Sequence, residues 1–348
     1  MSNKADYDLA IVGGGFAGLI AAATAASRGL SVVVLESKAH SGARVHTTGI
    51  LVKEAAEELD FPVHLTRKIR GVRLYSPNLK AVDLSASGYY FLSTDTGALL
   101  DWLSSRASYA GAKVLNGTRF TGARIRDGRV EIEPLGQTAR FVIGADGARS
   151  KVARSLGLGI NRHFLVGVEA EFPAEQSKAA ELLHCFLDSR FAPGYLGWAV
   201  PGVGVWQVGL AVRHGRIPDL DAFMPKVAPM LGLDPNAVTE RRAGIIPCGG
   251  IHCAFHYGRR AALAVSDYLC DGGEHPGAAM ARQYPSFFAK RLARIAMNGE
   301  PPNALYNLIL TSPAFLALAR AIYFHRRGIA VEAFPETQDA RPKTFAAL

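Results

Sequence analysis

Three glycines and one acid near the start of the chain have the spacing expected for a site that holds a dinucleotide. Gly13, Gly15 and Gly18 follow a short apolar run, and Glu36 ends a second apolar run 21 residues after Gly15. Gly13 would permit a tight turn, Gly15 would let the backbone approach a pyrophosphate, and Gly18 would let a helix pack closely on a strand. Glu36 would accept hydrogen bonds from ribose hydroxyls. The pattern predicts dinucleotide binding; the alternative is an ordinary βαβ unit with a glycine-rich turn.

The elements that must position these residues are a strand, a helix and a second strand. The first apolar run covers residues 8–12, an alanine-rich stretch covers 19–28, and the second run covers 31–35. A helix that begins at the glycines would turn its free N–H groups and the positive end of its dipole toward the phosphates. The order strand, turn, helix, strand, acid predicts a Rossmann-like βαβ unit.

A second turn suited to a cofactor follows a later strand. Residues 140–143 are expected to form that strand, which enters Gly144-Ala145-Asp146-Gly147, and Ser150 is suited to cap the next helix. Asp146 could accept hydrogen bonds from the hydroxyls of a ribityl chain. On its own, the same aspartate could form a structural Asx turn.

Together the two motifs resemble the fingerprints of FAD-dependent oxidoreductases of the p-hydroxybenzoate hydroxylase fold. In that family the adenosine half of FAD lies on the first βαβ unit, and the aspartate of the second turn lies near the ribityl and pyrophosphate region. The resemblance implies FAD as the cofactor and leaves the catalytic residues unknown, since the chemistry resides in the isoalloxazine. The residues that it implies as cofactor contacts are Gly13, Gly15, Phe16, Ala17, Gly18, Glu36, Ser37, Arg44, Thr47, Gly49, Ala123, Asp146 and Gly147.

An aromatic segment narrows this resemblance to one subfamily. Residues 193–201 and 207–210 look like the Tyr-x-x-Trp-x-Phe-Pro and Val-Gly pattern of geranylgeranyl reductase-like flavoproteins, with Val200 in place of the usual Phe. Tyr195 and Trp198 offer flat apolar surface to a prenyl chain or a flavin ring, and we expect them to contact the substrate. The alternative is that both are aromatic residues of a sheet core.

The third motif of the family is where this chain departs most. The family has Gly-Asp-Ala-Ala-Gly after a strand, then a Pro and a Gly-Gly turn that opens a helix toward the flavin. Here residues 259–265 are expected as a strand, and Ser266-Asp267 could be a decayed Gly-Asp. We favour a second interpretation, in which 265–270 end a helix at Gly272-Gly273 and about thirty residues, a turn plus one helix and its flanks, are absent. The cysteine that the family often has after the acid is also missing, and His46 lies in that loop.

Hydrophobic patterning divides the rest of the chain. Alternation with a period of two over residues 164–172 and 206–212 predicts an antiparallel sheet covered on one side. We therefore expect a mixed α/β protein with a Rossmann-like FAD-binding βαβ domain, an inserted antiparallel-sheet substrate domain and a helical C-terminus. The expected boundaries are 1–65, 93–160 and 255–300 for the FAD-binding domain, 66–92 and 161–254 for the substrate domain, and 301–348 for the helical C-terminal region.

The resemblance implies an FAD-dependent oxidoreductase that reduces C=C bonds of an isoprenoid or lipid-like substrate with reduced flavin. NAD(P)H is the expected electron donor. Two alternatives stay open: a flavin-dependent monooxygenase that hydroxylates an aromatic or polyketide substrate on the same fold, and a non-catalytic relative that binds FAD or lipid.

Composition and charge bear on the partners and on location. The 348 residues have a net charge of +9, and between residues 282 and 327 seven Lys or Arg stand against one acid, Glu300, among large apolar side chains. This pattern suits an anionic membrane surface or a lipid-like substrate, whereas the plain alternative is a helical cap whose apolar face is core. Since no nucleic-acid motif accompanies the charge, we expect an apolar small-molecule substrate, peripheral membrane contact through this region, and no nucleic-acid partner.

Cysteine and histidine placement gives no metal framework. The four cysteines form no C-x-x-C pair, and the N-terminus has no apolar signal-peptide core, so we expect a cytoplasmic protein. Cys248, His252, Cys253 and His256 lie close together, but their spacing matches no standard zinc site, and we expect no metal.

Overall fold

Three sheets and ten helices account for the regular structure of the parts described by the computed structural model, residues 5–176, 180–247, 250–283 and 288–324. The helices are α1 (Phe16–Ser27), α2 (Lys53–Ala56), α3 (Thr96–Tyr109), α4 (Lys151–Ser155), α5 (Leu220–Val227), α6 (Ile251–Asp271), α7 (Pro276–Arg282), α8 (Phe288–Asn298), α9 (Asn303–Ile309) and α10 (Pro313–Phe324). The strands are β1 (Tyr7–Val12), β2 (Val32–Leu35), β3 (Ile50–Val52), β4 (Thr66–Ile69), β5 (Val72–Tyr75), β6 (Ala81–Leu84), β7 (Phe91–Thr94), β8 (Lys113–Leu115), β9 (Gly122–Arg126), β10 (Arg129–Glu133), β11 (Gln137–Gly144), β12 (Phe164–Pro173), β13 (Leu183–Phe186), β14 (Gly197–Pro201), β15 (Val205–Arg213) and β16 (Glu240–Pro247).

The six-stranded sheet has the order β8-β2-β1-β11-β10-β9, and its first four strands are parallel. β1 and β2 are apolar runs with buried side chains, as strands covered on both faces must be. α1 is apolar almost all round because it is buried beneath α3 and α6 as well as against the sheet. The predicted Rossmann-like βαβ unit is confirmed, with α1 between β1 and β2.

The seven-stranded sheet has the order β16-β12-β15-β14-β13-β5-β6. The predicted antiparallel character holds for most neighbours, but β13 and β5 pair in parallel. The prediction of one covered side is wrong, since α5 packs on one face and α9 and α10 pack on the other. Two covered faces explain why every residue of β14 is buried rather than alternate residues only.

A small antiparallel sheet has the order β3-β7-β4, and its strands come between β2 and β8 in the chain. Three strands of the segment 66–92 divide between two sheets: β4 joins the small sheet, and the β5–β6 hairpin joins the seven-stranded sheet. The boundaries given above for the two domains stay a prediction.

The helical assignment of residues 251–271 corrects the prediction of a strand at 259–265. α6 is continuous, and its buried positions Phe255, Gly258, Ala262 and Val265 recur every three or four residues. A short apolar run does not distinguish a buried strand from one turn of a buried helix. The sequence alone therefore favoured a strand at residues 259–265. The predicted glycine stop is confirmed, because Gly272 ends α6 in the left-handed region at φ 67°.

Candidate functional site

The two glycine-containing turns meet at the carboxyl edge of the six-stranded sheet. β1 leads into Gly13 at φ 108°, and Ala145, just after β11, donates its N–H to the carbonyl of Val12 at 2.8 Å. A Cβ on Gly13 would lie 2.3 Å from the carbonyl oxygen of Ala145. The chain order of the strands reverses between β1 and β11, and such a switch point opens a crevice in which α/β proteins bind ligands.

The glycines of the first turn have the surroundings that their predicted roles require. A Cβ on Gly18 would lie 1.9 Å from the carbonyl oxygen of Gly13, so the helix and the strand are in direct backbone contact. A Cβ on Gly15 would meet no heavy atom of the described residues within 4 Å, so the space in front of α1 is open. Gly15 is the N-cap of α1 and supplies no side-chain cap, which leaves the first N–H groups available to an anion.

Glu36 ties the first turn to the end of β2. Its side chain is buried, with one carboxylate oxygen accepting from the N–H of Gly14 and the other from the N–H of Lys38, both at 2.8 Å. A carboxylate has about four lone-pair sites, so Glu36 retains capacity for a ribose hydroxyl. The acid therefore fixes the turn and is placed to bind a ligand as well.

Asp146 combines the two interpretations that the sequence left open. Its Oδ2 accepts hydrogen bonds from the N–H groups of Lys151 at 2.5 Å and Val152 at 3.1 Å, at the start of α4. Its Oδ1 is buried, and no described residue hydrogen-bonds to it. Because a buried carboxylate oxygen without a partner is costly, it fits a site for a ligand hydroxyl. Ser150 caps α4 as predicted, accepting from the N–H of Ala153 at 2.9 Å.

The loop of residues 42–49 is clamped against α3. Gly42 donates its N–H to Asp101 at 2.8 Å, and a Cβ on Gly42 would lie 2.2 Å from the carbonyl oxygen of Gly97. At the other end of the loop, Gly49 has φ 74° and packs against Thr96. The backbone of this loop is therefore fixed next to the crevice.

The same loop also reaches the seven-stranded sheet. His46 donates its Nδ1–H to the carbonyl of Ala243 at 2.9 Å, and Thr48 donates its hydroxyl to Glu169 at 2.5 Å. A Cβ on Gly244 would lie 2.5 Å from the carbonyl oxygen of His46. These contacts place the sheet of the second domain directly beside the crevice.

The remaining residues predicted to contact a cofactor have mixed positions. Phe16 is buried and packs on Phe255 with ring centroids 5.5 Å apart, and Ala123 is buried in β9. Ser37, Arg44 and Gly147 are exposed. Ala17, at the start of α1, and Thr47 are half-buried, and Gly49 is buried. The structure thus brings most of the predicted set to one edge, and their contact with a cofactor stays a prediction.

α6 is an element of the site that sequence reasoning misplaced. It runs parallel to α1: Gly258 meets the carbonyl oxygen of Ala17, where a Cβ would come within 2.4 Å, and Asp267 pairs with Arg28 at 2.9 Å. α6 begins seven residues before Gly258, about 10 Å along the axis. Its N-terminal turns therefore extend past the start of α1 toward the crevice.

α6 also bears on the third motif. Pro247 and Gly249-Gly250 precede α6 in the sequence, in the order that the resemblance implies for the Pro and the Gly-Gly pair ahead of a helix. This pair ahead of a long amphipathic stretch is a signal that the sequence analysis did not use. Because α6 is continuous through Val265 and Ser266, the absent segment that we expected there does not lie at that position. Among the described strands, β11 pairs beyond Ala139 only with β1.

Trp198 and Tyr195 lie on the face of the seven-stranded sheet covered by α9 and α10. The Trp198 indole is buried, donates its N–H to Glu169 at 2.7 Å, and lies across Gly209, where a Cβ would come within 2.6 Å of the ring. The Tyr195 ring is half-buried with the Arg294 guanidinium 5.2 Å from its centre. Trp198 thus has a structural role in the sheet core, and substrate contact by either aromatic stays a prediction.

A buried charge network surrounds Glu169. The Arg242 guanidinium pairs with both Glu169 and Glu171 at 2.6 Å. Burial on its own would lower the pKa of Arg242, but the two carboxylates outweigh it and raise that pKa. Because Glu169 also accepts from Thr48, the network couples the sheet to the loop beside the crevice.

Fold and site define a mixed α/β protein with a Rossmann-like βαβ unit, folded like the FAD-dependent oxidoreductases. Residues 11–81 match the family model of the NAD(P)-binding Rossmann-like domain. The digeranylgeranylglycerophospholipid reductase of Methanosarcina acetivorans is 32% identical over 272 residues, which cover 70% of this chain and 64% of that protein. The chain spans 63–64% of the length of the curated relatives that it matches first. Over these residues the chain is similar to the geranylgeranyl reductases.

Solved structures agree on the fold. A geranylgeranyl bacteriochlorophyll reductase-like protein from Thermoplasma acidophilum superposes with a TM-score of 0.74 at 20% identity, covering 95% of this chain and 97% of that chain. The p-nitrophenol 4-monooxygenase of Pseudomonas putida superposes with a TM-score of 0.63 at 16% identity, covering 91% of this chain and 96% of that chain. The predicted mixed α/β fold with a Rossmann-like domain is confirmed.

Proposed function

We propose that the protein binds FAD and reduces C=C bonds of an isoprenoid or lipid-like substrate. The observation that supports this most is the orphaned Oδ1 of Asp146 at a switch point whose opposite wall is the open N-terminus of α1. The likeness to digeranylgeranylglycerophospholipid reductase supports the substrate class. When bound, FAD supplies the hydride, and the protein supplies position, exclusion of water and electrostatics.

The chain's own groups have separate tasks in this proposal. The N–H groups at the start of α1 hold the pyrophosphate, and Glu36 and Asp146 accept from hydroxyls on either side of it. The clamped loop of residues 42–49 and the strand that it contacts at Ala243 and Gly244 wall the substrate beside the crevice. α9 and α10 pack on the Trp198 face of the same sheet and hold it in place.

Electron donor and location belong to the same proposal. NAD(P)H is the donor that we propose, and the protein would work in the cytoplasm. Cys185, Cys253 and Cys270 form no disulfide among the described residues, which suits a reducing compartment. Anaerobic titration of the FAD-loaded protein with NADPH and with NADH tests the donor: bleaching of the flavin band by either supports it, and a band that persists with both refutes it.

The reaction is tested with FAD-loaded protein, chemically reduced under anaerobic conditions and mixed with a geranylgeranyl lipid. Mass spectrometry is expected to show one H₂ added for each double bond reduced, together with reoxidation of the flavin. An unchanged lipid and a flavin that stays reduced would contradict the proposal. Substrate-dependent oxygen consumption with a hydroxylated product would instead favour the monooxygenase, whose fold this chain shares.

A further inference from the structure

The outward faces of three consecutive helices carry large apolar side chains in contact with solvent. Six such residues are 40 to 76% exposed, two on each of α8, α9 and α10: Leu292, Ile295, Leu305, Leu308, Leu318 and Ile322. Within each helix the two are three or four positions apart, so they form one stripe per helix. We call these six residues the outer apolar surface.

The inward faces of α9 and α10 are already packed against protein. Tyr306, Leu310 and Ala319 are buried in one core cluster with Trp198 and Val200 of the seven-stranded sheet. A helical cap on that core requires one apolar face, and the inner face supplies it. The outer apolar surface is therefore a second apolar face, which the cap does not explain.

The charge of these helices indicates what covers the outer apolar surface. By sequence α8 includes Lys290 and Arg291, and α10 includes the exposed Arg320. The single acid of the segment, Glu300, is bridged at 2.6 Å by Arg213 and at 3.0 Å by Arg216, which neutralises it. Apolar side chains together with a positive balance match the anionic surface of a phospholipid bilayer.

The geometry separates lying on a membrane from crossing it. Among the described residues no single helix is long and apolar enough to cross a bilayer; α9 and α10 are together long and apolar enough, but they are bent by 97° at the break between them. Since their inner sides are packed against protein, lipid can reach only their outer sides. An interfacial arrangement fits this better than a span.

We propose that α8, α9 and α10 form a docking surface for an anionic phospholipid bilayer. Docking itself does not depend on the reaction proposed above.

The test is flotation of the full chain with vesicles of phosphatidylcholine and phosphatidylglycerol in equal parts, and with phosphatidylcholine alone. The protein is expected to float with the anionic vesicles, and less so in high salt, which screens the attraction. The double variant L308E/I322E is expected to bind at least about tenfold more weakly. The matched control is V63E/I217E, since Val63 and Ile217 are 86% and 92% exposed but lie outside these helices. The control is expected to bind like the parent.

Thermal unfolding and FAD content of both variants keep the test independent of folding and of the proposed reaction. Both should match the parent, because neither pair of residues lies in the core or in the crevice. Equal binding by the parent and by L308E/I322E, or no vesicle binding by the parent, would overturn the docking surface. If light scattering showed a parent dimer that L308E/I322E makes monomeric, without vesicle binding, a second copy of the chain would be the occupant and the proposal would fail.

Discussion

Gly15 and Gly18 belong to the same turn, but an added methyl group would meet different surroundings at each. At Gly18 it would press on the carbonyl of Gly13, so Gly18→Ala is expected to lower the free energy of unfolding by about 1–3 kcal/mol. At Gly15 it would project into the open space in front of α1, so Gly15→Ala is expected to fold normally and to bind FAD at least about tenfold more weakly. Urea unfolding and FAD titration by fluorescence measure the two effects.

Gly159→Ala is the neutral control for this pair. A Cβ added to Gly159 would meet no heavy atom of the described residues within 4 Å, and the φ of this glycine lies outside the left-handed region. The substitution should leave both unfolding and FAD affinity unchanged. Undiminished FAD affinity in Gly15→Ala would show that the open space is not the pyrophosphate site.

Trp198 gives a second prediction at the residue scale. Trp198→Phe keeps an aromatic ring over Gly209 but removes the N–H that Glu169 accepts, while Thr48 and Arg242 still bind this carboxylate. We expect a loss of about 1–3 kcal/mol in the free energy of unfolding and no change in FAD affinity. Urea unfolding and FAD titration check both expectations, and an unfolding free energy equal to that of the parent would show that the indole N–H has no structural role.

Asp188, just after β13, joins two helices, α5 and α9, to the seven-stranded sheet. Its carboxylate accepts hydrogen bonds from Lys226 of α5, from Asn303 of α9 and from Arg190. Burial on its own would raise the pKa of Asp188, but these hydrogen bonds outweigh it and hold the pKa well below its usual range. α9 is thus anchored by a charged group as well as by its apolar face.

The sign of the resulting pH dependence follows from the lowered pKa. Asp188 stabilises the folded state fully above the unfolded pKa of about 3.9, and this contribution is lost as the pH falls below it. Asp188→Asn is expected to cost about 1–3 kcal/mol at pH 7 and to show a shallower loss of stability below about pH 4. Urea unfolding at several pH values measures this, and parallel curves for parent and variant would contradict the assignment.

Elements differed in how well the sequence predicted them. The Ser150 cap and the glycine stop of α6 at Gly272 were predicted because each has a local signal: a capping side chain in one case and a glycine pair in the other. The sequence analysis divided α6 into a strand and the end of a helix, because residues 261–265 are all apolar and show no helical period. The burial that decides between them comes from packing against α1, at Ala17 and Arg28, which no local window contains.

At the scale of the whole molecule, the sequence predicted the mixed α/β fold with its Rossmann-like βαβ unit. It did not predict that both faces of the large sheet are covered, since α9 begins 102 residues after the end of β14, whose Trp198 and Val200 it helps to bury. Nor did it predict the links from His46 and Thr48 to the sheet, which are non-local hydrogen bonds. The site residues that were predicted lie in short motifs, and those that were missed depend on domain packing.

The two sides of the crevice differ in how many of their elements are contiguous in the chain. The adenine side is built from β1, α1 and β2, which are contiguous in the chain and buried in one core. The other side depends on α6 and on β11, which beyond Ala139 pairs only with β1 among the described strands. Retention of FAD therefore tests the side that depends on α6 and β11 as well as the side built from β1, α1 and β2.

The most direct test is the absorbance spectrum of the full chain after incubation with excess FAD and removal of free ligand by gel filtration. The account predicts an oxidised-flavin band at about 450 nm at one FAD per chain, and its loss in Gly15→Ala. A folded parent protein that emerges colourless at every FAD concentration would contradict the central claim that this crevice is an FAD site.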